Sequence, residues 1–243
     1  MKFKTIALAA LAAVAAPSFA AVQVGGEIGD AEYVFVATNS AGSYFQDLGA
    51  TTGFIAGNYG KTFTQSVAGA EWNKFLAFGG TNTTWAIIAA QPLGDGFNPG
   101  EINAWTTRNV NQALGTIQNS QSNDGTSNLA VSFLTADAKS SPKVADNRLA
   151  SAFGTSAYFD NGTLSFNGFF NARNAVGTQA SMVYLTPSNE VSDLPSLFTV
   201  LNSTASFNGS TVTITTAVPE PSTYAMLFAG LAAVGFMARR RKA

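Results

Sequence analysis

The segment Gly94-Asp95-Gly96-Phe97-Asn98-Pro99-Gly100-Glu101 gathers three oxygen-bearing side chains, Asp95, Asn98 and Glu101, in a glycine-rich stretch. Oxygen donors of this kind suit calcium. A carboxylate pair suits glycoside hydrolysis, which needs two carboxyl groups about 5 to 9.5 Å apart with one pKa raised. The spacing departs from the Asp-x-Asp-x-Asp-Gly calcium loop, so the three are carried as a candidate ligand set and no metal is assigned. A second acidic group, Glu27, Asp30 and Glu32, reads as the solvated start of a strand. Histidine and cysteine are both absent. That removes the Ser-His-Asp and Cys-His nucleophile systems and leaves no nitrogen or sulfur ligand for zinc. No Gly-x-x-x-x-Gly-Lys-Ser/Thr phosphate cradle occurs either. The chain is therefore read as non-catalytic, with no catalytic residue and no cofactor assigned.

Aromatic side chains are plentiful, with 19 Phe, 6 Tyr and 3 Trp. Trp85 and Trp105 are candidates for stacking on sugar rings if their faces are open; the plainer reading of Phe-rich strands is that they face a core. Four Asn-x-Ser/Thr triplets begin at Asn82, Asn161, Asn202 and Asn208. Their number is what chance gives in a chain so rich in Asn, Ser and Thr.

These residues must be positioned by a body of unusually neutral composition. Only 11% of the 243 residues are charged, against about a quarter in ordinary soluble domains. The cations cluster at the ends, so that from Ala21 to Val218 seven Lys and Arg face thirteen Asp and Glu, a net of −6. Such a surface offers no footprint for nucleic acid. About 200 residues remain between the two ends, enough for one domain with a substantial core.

Most of that body predicts strands. Glu32 to Thr38 and Thr83 to Ala89 are dense in β-branched and aromatic residues. Ala130 to Leu134 and Ala180 to Leu185 are further strands. Asn161-Gly162 turns a hairpin between Ala157 and Phe166, because both residues tolerate positive φ. Asn208-Gly209 turns a second, ahead of Ser210 to Thr215, where Val212 and Ile214 alternate with Thr. Two short helices interrupt the pattern. One runs from Glu71 to Phe78 with Trp72, Phe75 and Leu76 on one side, stopped by Gly79-Gly80. The other lies between Asn109 and Gln118, with Val110, Leu114 and Ile117 sharing a side. The expected fold is mainly β: a single β-sandwich-like domain over residues 21–217 with one or two short helices.

Both termini read as addresses. Lys2 and Lys4 precede an apolar stretch from Ile6 to Ala16, then Pro17 and Ser18-Phe19-Ala20. This three-part layout predicts a signal peptide over residues 1–20, cut between Ala20 and Ala21 by signal peptidase after passage through the Sec translocon. At the other end, Tyr224 to Ala238 carries no charge for 15 residues. As a helix it reaches only about 22 Å, short of the roughly 30 Å hydrocarbon core, so its hold on a bilayer is modest. Arg239, Arg240, Arg241 and Lys242 keep this end on the cytoplasmic side. Upstream, Pro219-Glu220-Pro221 resists helix and sheet, because each proline lacks an N–H and restricts the residue before it.

In order, the Pro-Glu-Pro triplet, Ser222-Thr223-Tyr224, the apolar run and the basic cluster closely resemble the PEP-CTERM sorting signal, over residues 218–243. The resemblance implies recognition at or near Pro219, Glu220 and Pro221 by an exosortase, a membrane-embedded transpeptidase-like protein. It further implies transient attachment to the inner membrane, loss of the hydrophobic tail, and delivery to the outer surface or a polysaccharide matrix. Extracellular polysaccharide is accordingly a candidate partner, and nucleic acid is not. A second stretch, Ser43-Tyr44-Phe45-Gln46-Asp47-Leu48-Gly49, resembles a recurrent feature of one subgroup of such proteins and implies no activity.

Overall fold

A computed structural model describes residues 31–92, 102–109, 148–155, 173–186, 197–217 and 229–232. Within them the chain forms β1 (Glu32–Asn39), β2 (Gly42–Thr51), α1 (Thr52–Gly57), β3 (Thr62–Ser66), α2 (Ala70–Ala77), β4 (Thr84–Pro92), β5 (Ile102–Asn109), β6 (Arg148–Ala152), β7 (Asn174–Ala175), β8 (Gln179–Thr186), β9 (Leu197–Phe207) and β10 (Thr211–Thr216). All strands join one antiparallel sheet in the order β3-β10-β9-β8-β5-β4-β1-β2-β6, with β7 pairing the first residues of β4. The mainly β class with few short helices is as expected. Its strands belong to one continuous sheet whose two limbs are brought face to face by curling.

The curl follows from the side chains. β1 and β9 are four strands apart in the sheet order, which in a flat sheet separates them by about 19 Å. Instead the rings of Phe35 on β1 and Phe207 on β9 lie 4.7 Å apart. Phe207 also meets Trp72 at 5.8 Å and Trp85 at 6.5 Å. Trp72 in turn sits 5.0 Å from Tyr44 and 5.1 Å from Phe75. One aromatic cluster thus touches four strands and α2, and all its members are buried. The register supplies it: Phe35 pairs Ile87 and Ala37 pairs Trp85, so alternate residues of β1 and β4 point to the same side.

The opposite side of the central strands, carrying Val34, Val36, Ala86, Ile88, Ala104 and Val183, is buried as well. Burial on both sides is why β1 and β4 read as continuous apolar runs instead of alternating ones.

Among the described residues the two end strands, β3 and β6, do not pair with each other; side chains and α2 span the gap. Gln46 on β2 donates through Nε2 to the Ser66 carbonyl on β3 at 2.9 Å. Arg148 on β6 donates through Nη1 to the Ala68 carbonyl at 2.7 Å. The Glu71 carboxylate on α2 accepts the outward-pointing Ala150 amide of β6 at 2.8 Å. Trp72 and Phe75 on α2 fill the interior between the edges, while Leu76, expected on the same side, is exposed. α2 stops at Gly79, whose φ of 72° suits glycine.

The Asn208-Gly209 turn is present, with β10 opening at Thr211. Gly209 takes φ 101°, and Asn208 Oδ1 accepts from the amides of Ser210 and Thr211 at 2.9 and 2.8 Å. Asn109 closes β5 rather than opening a helix. The signal peptide with Ala20 and Ala21, the strand at 130–134, the Asn161-Gly162 hairpin and the remainder of the helix expected up to Gln118 lie outside the described residues.

Two outcomes follow for stability. Phe207→Ala removes the contact between the two limbs and lowers unfolding free energy by about 3–5 kcal/mol, whereas Leu76→Ala stays within about 0.5 kcal/mol; denaturant titration followed by tryptophan fluorescence separates them, and equal losses would contradict the curl. Burial also pushes the Tyr33 phenol above its ordinary value. The folded state then holds that proton more tightly than the unfolded chain, so the contribution is intact below about pH 10 and declines as pH rises beyond it. Tyr33→Phe narrows the fall in stability above about pH 10, measured as thermal midpoints across the alkaline range; parallel curves for the two proteins would exclude it.

Candidate functional site

Asp95, Asn98 and Glu101 lie outside the described residues, but the strands that flank them in sequence, β4 and β5, are described. Gln91 near the end of β4 pairs in register with Asn103 near the start of β5. Both side chains are buried, and neither Nε2 nor Oε1 of Gln91, nor Oδ1 of Asn103, has a hydrogen-bond partner. Next to them, Trp105 packs against Tyr184 with ring centroids 4.8 Å apart. Unsatisfied buried amides are rare and costly, so this end of the strand pair is a polar anomaly among the described residues.

The two tryptophans singled out for stacking are core residues. Trp85 is fully buried, donates its indole N–H to the Ala175 carbonyl at 2.9 Å, and packs toward Phe207. Asn174 fastens the same corner, donating through Nδ2 to the Trp85 carbonyl at 3.1 Å and to Thr107 Oγ1 at 3.2 Å. Trp105 is 8% exposed. Neither ring presents an open face, because in a curled sheet the inward positions of β4 and β5 are enclosed from across the interior as well as by neighbouring strands.

The stretch from Ser43 to Gly49 forms most of β2, and its chemistry is structural. Tyr44 lies in the aromatic cluster and donates its hydroxyl to Gln46 Oε1 at 2.8 Å, which aims Gln46 Nε2 at Ser66 across the gap. Asp47 Oδ1 accepts the Gly49 amide at 2.7 Å, where Gly49 takes φ 62°. Buried Gln46 and Asp47 hid this strand from a hydropathy pattern. Also unforeseen was α1, although Thr51 caps it by accepting the Phe54 amide at 3.1 Å, and a Thr ahead of a short apolar run was the available signal.

The best-defined feature bearing on function is where the chain leaves the sheet. Thr216 ends β10 and is held by the loop after α1: its amide donates to the Lys61 carbonyl at 3.0 Å, its carbonyl accepts from Gly60 at 3.1 Å, and its hydroxyl donates to the Asn58 carbonyl. The Ala217 amide donates to the Asn202 carbonyl at 2.7 Å. Beyond Ala217 the sequence turns at once to Val218-Pro219-Glu220-Pro221. Those residues lie outside the described ones, as do Arg239, Arg240, Arg241 and Lys242. Within the expected sorting helix, residues 229–232 are helical and exposed. Among the described residues no helix is long and apolar enough to cross a membrane, and no cluster of three potential metal-binding side chains occurs.

A β domain whose last strand passes without a spacer into such a tail belongs to the class of proteins that carry a C-terminal processing signal. The tail is a PEP-CTERM protein-sorting motif, matched over residues 217–242. The motif marks the chain as an exported, membrane-transiting protein recognised by an exosortase. Neither curated proteins nor solved structures yielded a match to the chain.

If the Gln91 amide is unpaired, Gln91→Met keeps the volume and removes the buried polar group, so stability stays level or rises by up to about 2 kcal/mol. Chemical denaturation gives the answer; a loss above about 1 kcal/mol would show the amide to be engaged.

Proposed function

We propose that this protein is a non-catalytic component of the outer surface or of an extracellular polysaccharide matrix, with a structural or adhesive role. In this reading residues 1–20 direct export and Tyr224 to Ala238 hold the chain briefly at the inner membrane. An exosortase then processes it near Pro219, Glu220 and Pro221. The observation that carries the reading is the coincidence of two boundaries: the sorting motif begins at Ala217, the residue that makes the last hydrogen bond to β9. The whole sheet is then cargo, delivered intact when the tail is lost. The absence of histidine and cysteine supports a role without chemistry of its own.

A second reading, recognition of matrix polysaccharide, is favoured by Gln91 and Asn103, whose amide atoms lack hydrogen-bond partners of the kind that sugar hydroxyls supply. The calcium-assisted version, using Asp95, Asn98 and Glu101, belongs to the same reading.

The test compares the wild type with Pro219→Ala/Glu220→Ala/Pro221→Ala in a host that makes an exosortase and exports polysaccharide. Wild-type protein is recovered outside the cell, sediments with the polysaccharide, and has an intact mass lacking Arg239 to Lys242. The triple variant stays in the membrane fraction with its tail. Released wild-type protein that retains Arg241, or equal release of both proteins, overturns the sorting scheme. A silent glycan array with an intact sediment favours the structural role; array binding abolished by Gln91→Met favours the second reading.

A further inference from the structure

The surface around the exit point carries two exposed aromatic side chains. Phe54 on α1 and Tyr59 in the following turn are 49% and 63% exposed, and Lys61 stands two residues beyond Tyr59. The same turn grips Thr216 through Asn58, Gly60 and Lys61, so this aromatic surface is tied to the spot from which the chain departs. Beneath it Phe54, Ile55, Phe63 and Ile214 line a cavity of about 90 Å³. From Gly49 to Ala70 the sequence contains no carboxylate and one cation, in a body that is otherwise acidic.

Only six residues, Val218 to Thr223, separate Ala217 from the apolar run that starts at Tyr224. Fully extended, that tether spans at most about 25 Å. Whenever the run is seated in a bilayer, the domain is confined to the membrane surface, and the part nearest the tether faces the lipid. Aromatic side chains with one apolar and one polar end partition into the headgroup zone, and a lysine beside them is attracted to anionic lipid. We propose that the Phe54, Tyr59 and Lys61 surface is a lipid-docking face that seats the domain on an anionic bilayer while the tail awaits processing. This rests on the membrane-held step of the function proposed above.

The chain has no cysteine, so single-cysteine labels report cleanly. Full-length Tyr59→Cys, Lys61→Cys and Val176→Cys proteins carrying an environment-sensitive fluorophore are reconstituted with vesicles of phosphatidylcholine and phosphatidylglycerol, with and without brominated acyl chains. Val176 is the control: it too is exposed and apolar, but it lies beside Gly209 at the opposite end of β10. The proposal expects a blue shift and bromine quenching at positions 59 and 61 and neither at 176, with the effect weakened when phosphatidylglycerol is omitted. Proteins that float with the vesicles while all three labels stay in water, or respond equally, overturn the docking face and leave the membrane-held tail standing. Failure of the proteins to float overturns both.

Discussion

The packing of Phe207 on Phe35 is the contact on which the fold depends, because it joins residues that a flat sheet would hold far apart. A sheet that curls this far brings its two edge strands toward each other without pairing them. Unpaired edges present open donors and acceptors that recruit other chains, a hazard for an exported protein. Here the gap is closed by polar side chains aimed at backbone groups: Gln46 at Ser66, Arg148 at Ala68 and Glu71 at the Ala150 amide. α2 makes closure possible by serving both parts. Its Trp72 and Phe75 join the aromatic cluster while its Glu71 covers the edge of β6, so the core and the seam form together.

That division of labour explains why so many aromatic residues yield so little binding chemistry. Trp85 spends its ring on the interior and its N–H on Ala175, which leaves nothing for a sugar to stack on. The Nδ2 group of Asn174 is likewise occupied, joining β4, β5 and β7. Among the described residues the Gln91 and Asn103 pair departs from this, with unmet amide atoms facing each other across β4 and β5 near the Trp105 and Tyr184 rings. Two facing amides left unmet at one strand end are where a second role would leave its mark.

How much could be read in advance follows from how local each signal is. β1, β4 and β8 announced themselves because doubly buried strands are runs of β-branched and aromatic residues, and the β9–β10 turn because Asn-Gly is self-sufficient chemistry. α2 was legible from Trp72 and Phe75, but Leu76 was misplaced, since a stripe on a short helix does not fix how far the core extends around it. β3 reads Thr-Phe-Thr-Gln-Ser and is mostly solvated, as an edge strand is, so hydropathy could not find it. β2 hid behind Gln46 and Asp47, polar residues whose burial makes sense only once the gap they bridge exists. The curl itself was illegible, being a property of residues more than 150 positions apart. The sorting tail was legible in full because its elements lie side by side in the chain.

The join between sheet and tail is dictated by the same local chemistry. Pro219 has no N–H to give a neighbouring strand, and proline biases the residue before it away from helix. Ala217, the last described residue of this strand end, donates its amide to the Asn202 carbonyl. The Pro-Glu-Pro triplet therefore begins within about 7 Å of the folded edge, measured along an extended chain. A processing enzyme must either accept the folded domain at that range or wait for the end of β10 to fray. Thr216 resists fraying, since its amide, carbonyl and hydroxyl are all held by the turn that follows α1. At about 0.5–1.5 kcal/mol for each hydrogen bond, opening that terminal clasp costs a few kcal/mol. The folded arrangement is thus the common one at the membrane, and the surface formed by α1 and its turn is what an approaching enzyme or lipid meets first.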